Sequence, residues 1–214
     1  MIRSSIIFIT LCFSFHITLK ADLGSFEGEI RVVRETIYDT TYIEINVKDH
    51  MVRVDEHDSR KELVSSQIVD IEKEEVVALS HSKKLFAHVP VSPRIVDGSN
   101  ELEINKTENH KEINGVICYQ WRVKDVKRNT EIAYWVFEER FDFFEKLLKL
   151  LNRTEFSFSA FDAIPGREGF FPMLTEERTL LRREKLRVAV VAINEQVLNG
   201  NVFKIPENYN AVKR

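Results

Sequence analysis

The chain has 214 residues, 43% hydrophobic and 30% charged with only 7 Gly and 5 Pro, which excludes a disordered polymer and fits one or two globular domains. Its 31 Lys and Arg stand against 34 Asp and Glu, a formal charge of −3, so bulk charge gives no footprint for nucleic acid or for an anionic membrane surface. The residues by themselves point to an exported, strand-rich globular domain and name no chemistry.

Residues 1–21 read as an address. Arg3 supplies the early positive charge, and Ile6 to Leu19 form an apolar run broken only by Thr, Ser and His, the pattern of a secretory signal cleaved near Ala21. The run falls short of the ~20 residues that span a bilayer, so no transmembrane span is expected after cleavage. Cys12 follows Leu11 rather than a small residue, so no lipid anchor is implied. The mature chain, residues 22–214, then keeps only Cys118 and forms no intrachain disulfide; in an oxidising compartment its stability must come from its own core.

Period-two alternation follows. Ile43, Ile45 and Val47 share one strand face, with Glu44, Asn46 and Lys48 on the other. Ile30 and Val32, Val52 and Val54, and Val69 and Ile71 repeat it. Val76–Leu79 and Leu85–Val89 flank a polar break suited to a hairpin. Pro90, Pro93 and Asp97-Gly98-Ser99-Asn100 predict a long loop. Asn114-Gly115 is a two-residue hairpin signal, because both residues tolerate positive φ. The next strand sends Ile117, Tyr119, Trp121 and Val123 to one face, and Ile132–Phe137, apolar on both faces, suits a covered central strand. Phe141, Phe144, Leu147, Leu148 and Leu151 recur at helical spacing and predict an amphipathic helix ending near Asn152. Phe156–Phe171 reads as an aromatic-rich loop. Residues 175–197 permit a helix or strands; the β-branched run Val188–Val191 favours two strands turning near Arg183.

Chemistry-bearing motifs are scarce. His50, Asp55, His57 and Asp58 lie close in sequence, but His50 and His57 would face opposite sides of a strand, so no metal is expected. Cys118 falls on the more polar side of its strand, within reach of solvent, with no flanking pattern of a low-pKa thiol. Nucleophile-elbow and phosphate-loop signatures are missing, so no enzyme and no cofactor is expected. Asn105-Lys106-Thr107 and Asn152-Arg153-Thr154 fit a glycosylation acceptor pattern that matters only in a eukaryotic secretory pathway. Arg178, Arg182, Arg183, Lys185 and Arg187 make a local basic run that reads as a solvated strand face before a docking patch. Fifteen Phe is a high number, and many fall where cover for the sheet is expected.

Specific residues resemble a known family. Tyr42-Ile43, Met51-Val52-Arg53-Val54-Asp55, Ile68-Val69-Asp70-Ile71 and Leu85-Phe86 resemble the opening of a bacterial envelope domain of unknown function, number 4412 in the DUF series. Ile113-Asn114-Gly115 with Cys118, Tyr119 and Trp121, then Glu131 with Trp135-Val136, resemble its central hairpin and following strand, although Val116 and Ile117 stand where that family often has an aromatic. Leu198 with Phe203-Lys204-Ile205-Pro206-Glu207-Asn208-Tyr209 resembles its closing signature. The family is similar to the LolA and LolB group of periplasmic lipoprotein carriers. That resemblance implies a mainly β, α+β fold: a strongly curved antiparallel sheet forming an incomplete barrel, closed by one or more helices over an apolar cavity.

The expectation is therefore a periplasmic or otherwise exported envelope protein, not an enzyme, that holds a lipid, acyl chain or lipoprotein tail. The residues expected to line its cavity are Ile43, Ile45, Val52, Val54, Tyr119, Trp121, Phe141, Phe144 and Leu148. Whether a void of roughly several hundred Å3, the scale of ligand pockets, lies beneath the Phe141–Leu151 helix is the observation that separates this reading from its alternative. The alternative is a structural or protein-interaction module of the envelope with a filled interior and an envelope protein as partner.

Overall fold

A computed structural model describes residues 26–91, 102–138, 141–151 and 156–212. The signal expected over 1–21, the loop at Pro93 and Asp97–Asn100, and Asn152-Arg153-Thr154 lie outside the described residues. The strands are β1 Gly28–Thr36, β2 Thr40–Lys48, β3 Met51–His57, β4 Leu63–Asp70, β5 Glu75–Ser80, β6 Leu85–Val89, β7 Glu103–Ile113, β8 Val116–Asp125 and β9 Thr130–Glu138. Helices α1 Asp142–Leu151 and α2 Phe156–Asp162 follow, then β10 Phe170–Thr179, β11 Glu184–Glu195, a short 3-10 helix Gly200–Phe203 and β12 Asn210–Ala211.

All twelve strands join one sheet in the order β12-β6-β5-β4-β3-β2-β1-β11-β10-β9-β8-β7. Two antiparallel meanders, β1–β6 and β7–β11, are welded where β1 pairs with β11. The sheet curls into an incomplete barrel that does not close on itself, and both helices lie inside the curl. Thus the half-barrel with helical cover is the architecture found.

Local sequence explains the joints. Asn114 and Gly115 take φ of 51° and 82°, the left-handed pair of a tight hairpin turn. Gly28 opens β1 at φ 154°, and a Cβ there would collide with the carbonyl oxygen of Asn194 on β11, so the weld between the meanders has no room for a side chain. Pro172 sits at a bulge between Pro172 and Leu174, where β10 pairs with β9 and has no β11 partner. The ambiguous 175–197 stretch forms strands that turn at 180–183.

Alternation fixes the inner face. Ile30, Val32, Ile43, Ile45, Val47, Val52, Val54 and Val69 are buried there, together with Tyr134 and the helix residues Phe144, Leu147 and Leu148. Three expectations are corrected. Phe156–Phe171 is no loop throughout: its first half is α2, which buries Ala160 and Phe161, and Ile164 is buried beyond it. Cys118 is fully buried, not within reach of solvent, and burial raises its thiol to about 11. Asn46 and Asp55, on the polar side of their strands, are buried too, because the outer face is covered there by residues that follow β11.

Candidate functional site

The sheet's inner face and the helices border an apolar cavity of about 80 Å3. Ile43, Ile45, Val54, Val32, Val188 and Val190 supply the sheet wall; Phe144, Leu147, Leu148 and Leu151 of α1, with Phe158 and Phe161 of α2, supply the roof. Its polar groups gather at one corner, formed by Tyr134, Ser157 and Thr175. The Tyr134 hydroxyl donates to the Ser157 carbonyl, and complete burial, reinforced by the charge of Glu177, raises the phenol well above its ordinary pKa. Ser157 Oγ is buried with no hydrogen-bond partner among the described residues, so a polar atom arriving in the cavity would meet a donor that costs nothing to free.

The size is informative. Pockets that enclose a whole small ligand run to about 300–1,000 Å3; this void holds several water molecules' worth of space. Phe144, Leu148 and Phe161 are among the side chains that border it. The same three side chains also wall a second cavity of about 140 Å3, floored by Phe141 and Phe170 and rimmed by Glu145, Arg167 and Glu168. On the other side of α1 an open groove of about 310 Å3 runs between Phe26, Val47, Ile71 and Phe143, with Asp49, Glu72 and Lys146 at its rim. The helix therefore lies between an apolar cavity and a groove with a more polar lining.

Two further polar contacts hold the roof. Arg167, in the connection after α2, hydrogen-bonds Asp162 of α2 at 2.7 Å and reaches Glu145 of α1 at 3.5 Å. Lys106 of β7 donates to the Pro165 and Gly166 carbonyls at 2.7 and 3.1 Å while its ammonium lies 4.0 Å above the Trp121 ring.

Five of the nine expected lining residues, Ile43, Ile45, Val54, Phe144 and Leu148, border the cavity. Val52 is fully buried in the core but does not border it. Trp121 is buried beside the roof, its ring 6.4 Å from Phe161 and 4.7 Å from Phe170. Phe141 belongs to the second cavity and packs 4.7 Å from Phe171. Tyr119 is 44% exposed beside His110, away from the cavity. The corner of Tyr134, Ser157 and Thr175 was missed; buried tyrosine in an otherwise apolar strand was the available signal.

Residues 26–209 match the family described as "Domain of unknown function (DUF4412)". The chain belongs to this family. No curated protein matches it in sequence. An uncharacterized conserved protein from Thermus thermophilus has a similar structure, with a TM-score of 0.55 at 9% identity over 89% of this chain and 91% of that one. PNGF-II aligns at a TM-score of 0.45 and 10% identity, over 87% of this chain but 30% of its own. A domain described as an outer membrane lipoprotein-sorting protein from Vibrio parahaemolyticus aligns at 0.32 and 7% identity, over 86% of this chain and 90% of that one. At such identities the likeness concerns fold alone.

In this DUF4412 chain the closing segment is a strap across the outer face. Leu198, Val202, Phe203, Ile205 and Tyr209 pack on Met51, Ile68, Val77, Leu79 and Phe86 and make a second small core. Lys48 pins the strap's start through the Leu198 carbonyl at 2.9 Å and Glu27 at 2.8 Å. Arg53 donates to the Val202 carbonyl at 2.8 Å and to Asp55 at 2.7 Å. Ser66 donates to Asp55, His81 Nε2 lies 2.6 Å from Ser66, and His81 Nδ1 lies 2.7 Å from the Tyr209 hydroxyl. Although Ser, His and Asp meet here, Ser66 is buried beneath the strap and His81 turns its second nitrogen to Tyr209, so the cluster fastens a segment and has no hydrolytic geometry.

Proposed function

We propose that this protein is an exported, non-enzymatic envelope protein whose half-barrel, residues 22–214, holds the hydrocarbon chain of a lipid or lipoprotein against the inner face of its sheet. One observation carries this: a cavity walled almost wholly by aliphatic and phenyl groups lies beneath two short helices. Burial of an acyl chain contributes ~0.8 kcal/mol per CH2, so a modest length gives useful affinity without a charged anchor. A whole chain enters only when α1 and α2 lift and Phe144, Leu148 and Phe161 swing aside, which joins the two cavities. Ile43, Ile45, Val54, Phe144 and Leu148 are the contacts assigned to the chain, and Ser157 the group that meets a carbonyl or hydroxyl oxygen.

The test is organic extraction of protein purified without detergent, followed by mass spectrometry. A near-stoichiometric acyl lipid is expected, and the cavity-filling variants Val54→Phe and Val188→Phe should lose most of it while staying folded. Ligand-free protein, unable to take up a fluorescent fatty acid, would reject lipid binding. That outcome favours a second reading, a protein-interaction module with a filled interior, for which the small volume of the cavity already speaks.

A further inference from the structure

Antiparallel hairpins place alternate turns at opposite ends of the half-barrel. One end collects the turns at 37–39, 58–62, 81–84, 126–129 and 180–183. Those turns hold eight lysines and arginines against three acids, a local charge of +5 in a chain whose total is −3. Asp58 and Glu62 are engaged by Arg60 within the same turn, and Asp39 is engaged by Thr36, so Lys61, Lys83, Lys84, Arg182 and Arg183 dominate the field outward. The hairpin turns at the opposite end, 49–50, 71–74 and 114–115, carry one lysine against three acids.

The basic end also displays apolar tips. Tyr38 is 89% exposed, Leu181 88%, Ile37 66% and Val126 55%. These tips are not frayed. Thr36 N–H donates to the Asp39 carbonyl at 2.9 Å and Tyr38 N–H to Thr36 Oγ1 at 3.1 Å. Across the sheet, Arg182 N–H donates to the Thr179 carbonyl at 2.8 Å and Arg183 N–H to Thr179 Oγ1 at 3.0 Å. Leu180 N–H, 3.3 Å from the Asn129 carbonyl, ties the 180–183 turn to the 126–129 turn. Ordered hairpins thus hold large apolar side chains out in water between cations.

We propose that this end of the half-barrel docks on an anionic phospholipid surface, with Tyr38, Ile37, Val126 and Leu181 in the headgroup layer and the flanking lysines and arginines on lipid phosphates. Separate apolar tips on one arc, spaced by positive charge, suit a flat, fluid, negatively charged partner better than a protein pocket. Tyrosine prefers that depth, its ring apolar and its hydroxyl wet. The cavity residues Val32, Ile43, Val54 and Val188 lie on the side of α1 facing these turns, so a chain leaving the cavity would emerge toward the bilayer. Docking does not depend on the cavity being occupied.

The test is co-sedimentation of the purified protein with vesicles of equal parts phosphatidylglycerol and phosphatidylethanolamine, against vesicles of phosphatidylcholine. The protein should bind the anionic vesicles, less so as salt rises. Each basic residue near such a surface is worth about fivefold in partition, so Arg182→Glu with Arg183→Glu should lower it at least tenfold. Tyr38→Ser with Leu181→Ser should lower it several-fold with less change in salt dependence, and Lys73→Ser at the opposite end should leave it unaltered. All substituted side chains project from turns, and unchanged melting temperatures verify folding. Equal partition of wild type and both double variants, or no binding to anionic vesicles at low salt, would overturn the assignment, whether or not lipid is found in the cavity.

Discussion

Protonating His81 at Nδ1 removes the lone pair to which the Tyr209 hydroxyl donates. The network assigns the neutral tautomer: Ser66 gives its proton to Asp55 and accepts from Nε2, which leaves Nδ1 as acceptor for Tyr209. Burial, aided by the Arg53 guanidinium and opposed by Asp55, lowers the imidazole's pKa below the ordinary 6.5. The unfolded chain then takes up its proton first as pH falls. The stability contributed by neutral His81 is complete above pH 6.5 and is lost as pH drops through the lower folded-state value. Thermal melts from about pH 7 to pH 5 should show wild type losing stability with acid and His81→Gln following a flatter curve from a lower start. Parallel curves would show that His81 is not the titrating fastener. The carboxyls of Asp70 and Glu145 are lowered from 3.8 and 4.5 and act below this window.

Among elements, α1 and α2 are set apart from the sheet by what holds them: apolar contact, the Arg167 clasp and isolated bonds from Tyr134 and Lys106, in place of a ladder of hydrogen bonds. Replacing Arg167 by Leu strands Asp162, itself largely buried, at a cost of about 1–3 kcal/mol. Amide hydrogen exchange in 142–151 and 156–162 should then quicken roughly tenfold while β1, β2 and β11 are unaffected; exchange that quickens evenly would deny the helices an independent opening. Helix α1 was legible from the spacing of Phe144, Leu147, Leu148 and Leu151. The other helix was not, because seven residues punctuated by Ser157 and Ser159 have no stable helix of their own and take that form only where Phe161 stacks on Trp121 and meets Tyr134. Tyr119 and Trp121 mark the limit of strand parity. Both pair along β9, Tyr119 with Val136 and Trp121 with Tyr134, yet only Trp121 lies under the roof. Alternation gives the face of a strand and says nothing of how far its cover extends.

For the whole molecule, the strap that follows β11 decides which polar residues are buried. Ile43, Ile45, Val52 and Val54 were placed correctly on the inner face because one wet and one dry side is written in period two. Asn46 and Asp55 read as solvated because their cover lies about 150 residues away in sequence. Ending the chain at Val197 should lower the melting temperature and expose Ile68, Leu79 and Phe86, seen as increased binding of an apolar dye, and Phe203→Ala alone should cost about 3 kcal/mol. An unchanged melt after truncation would reduce the strap to decoration. Net charge had the same blindness as parity: −3 averages over two ends of opposite sign.

Every open sheet leaves two outermost strands whose amides can recruit a stranger. Here Asn210 N–H donates to Lys84 and Val212 N–H to Phe86, at 3.0 and 2.9 Å, so β12 lies parallel along β6 as a stopper made from the same polypeptide. On the far side β7 presents Glu103, Lys106, Glu108, Lys111 and Glu112 and loses its register with β8 between Lys106 and His110. Charge and irregularity discourage on that flank what the tail blocks on the other. A curl of twelve strands can therefore stay open without becoming a template for its own copies.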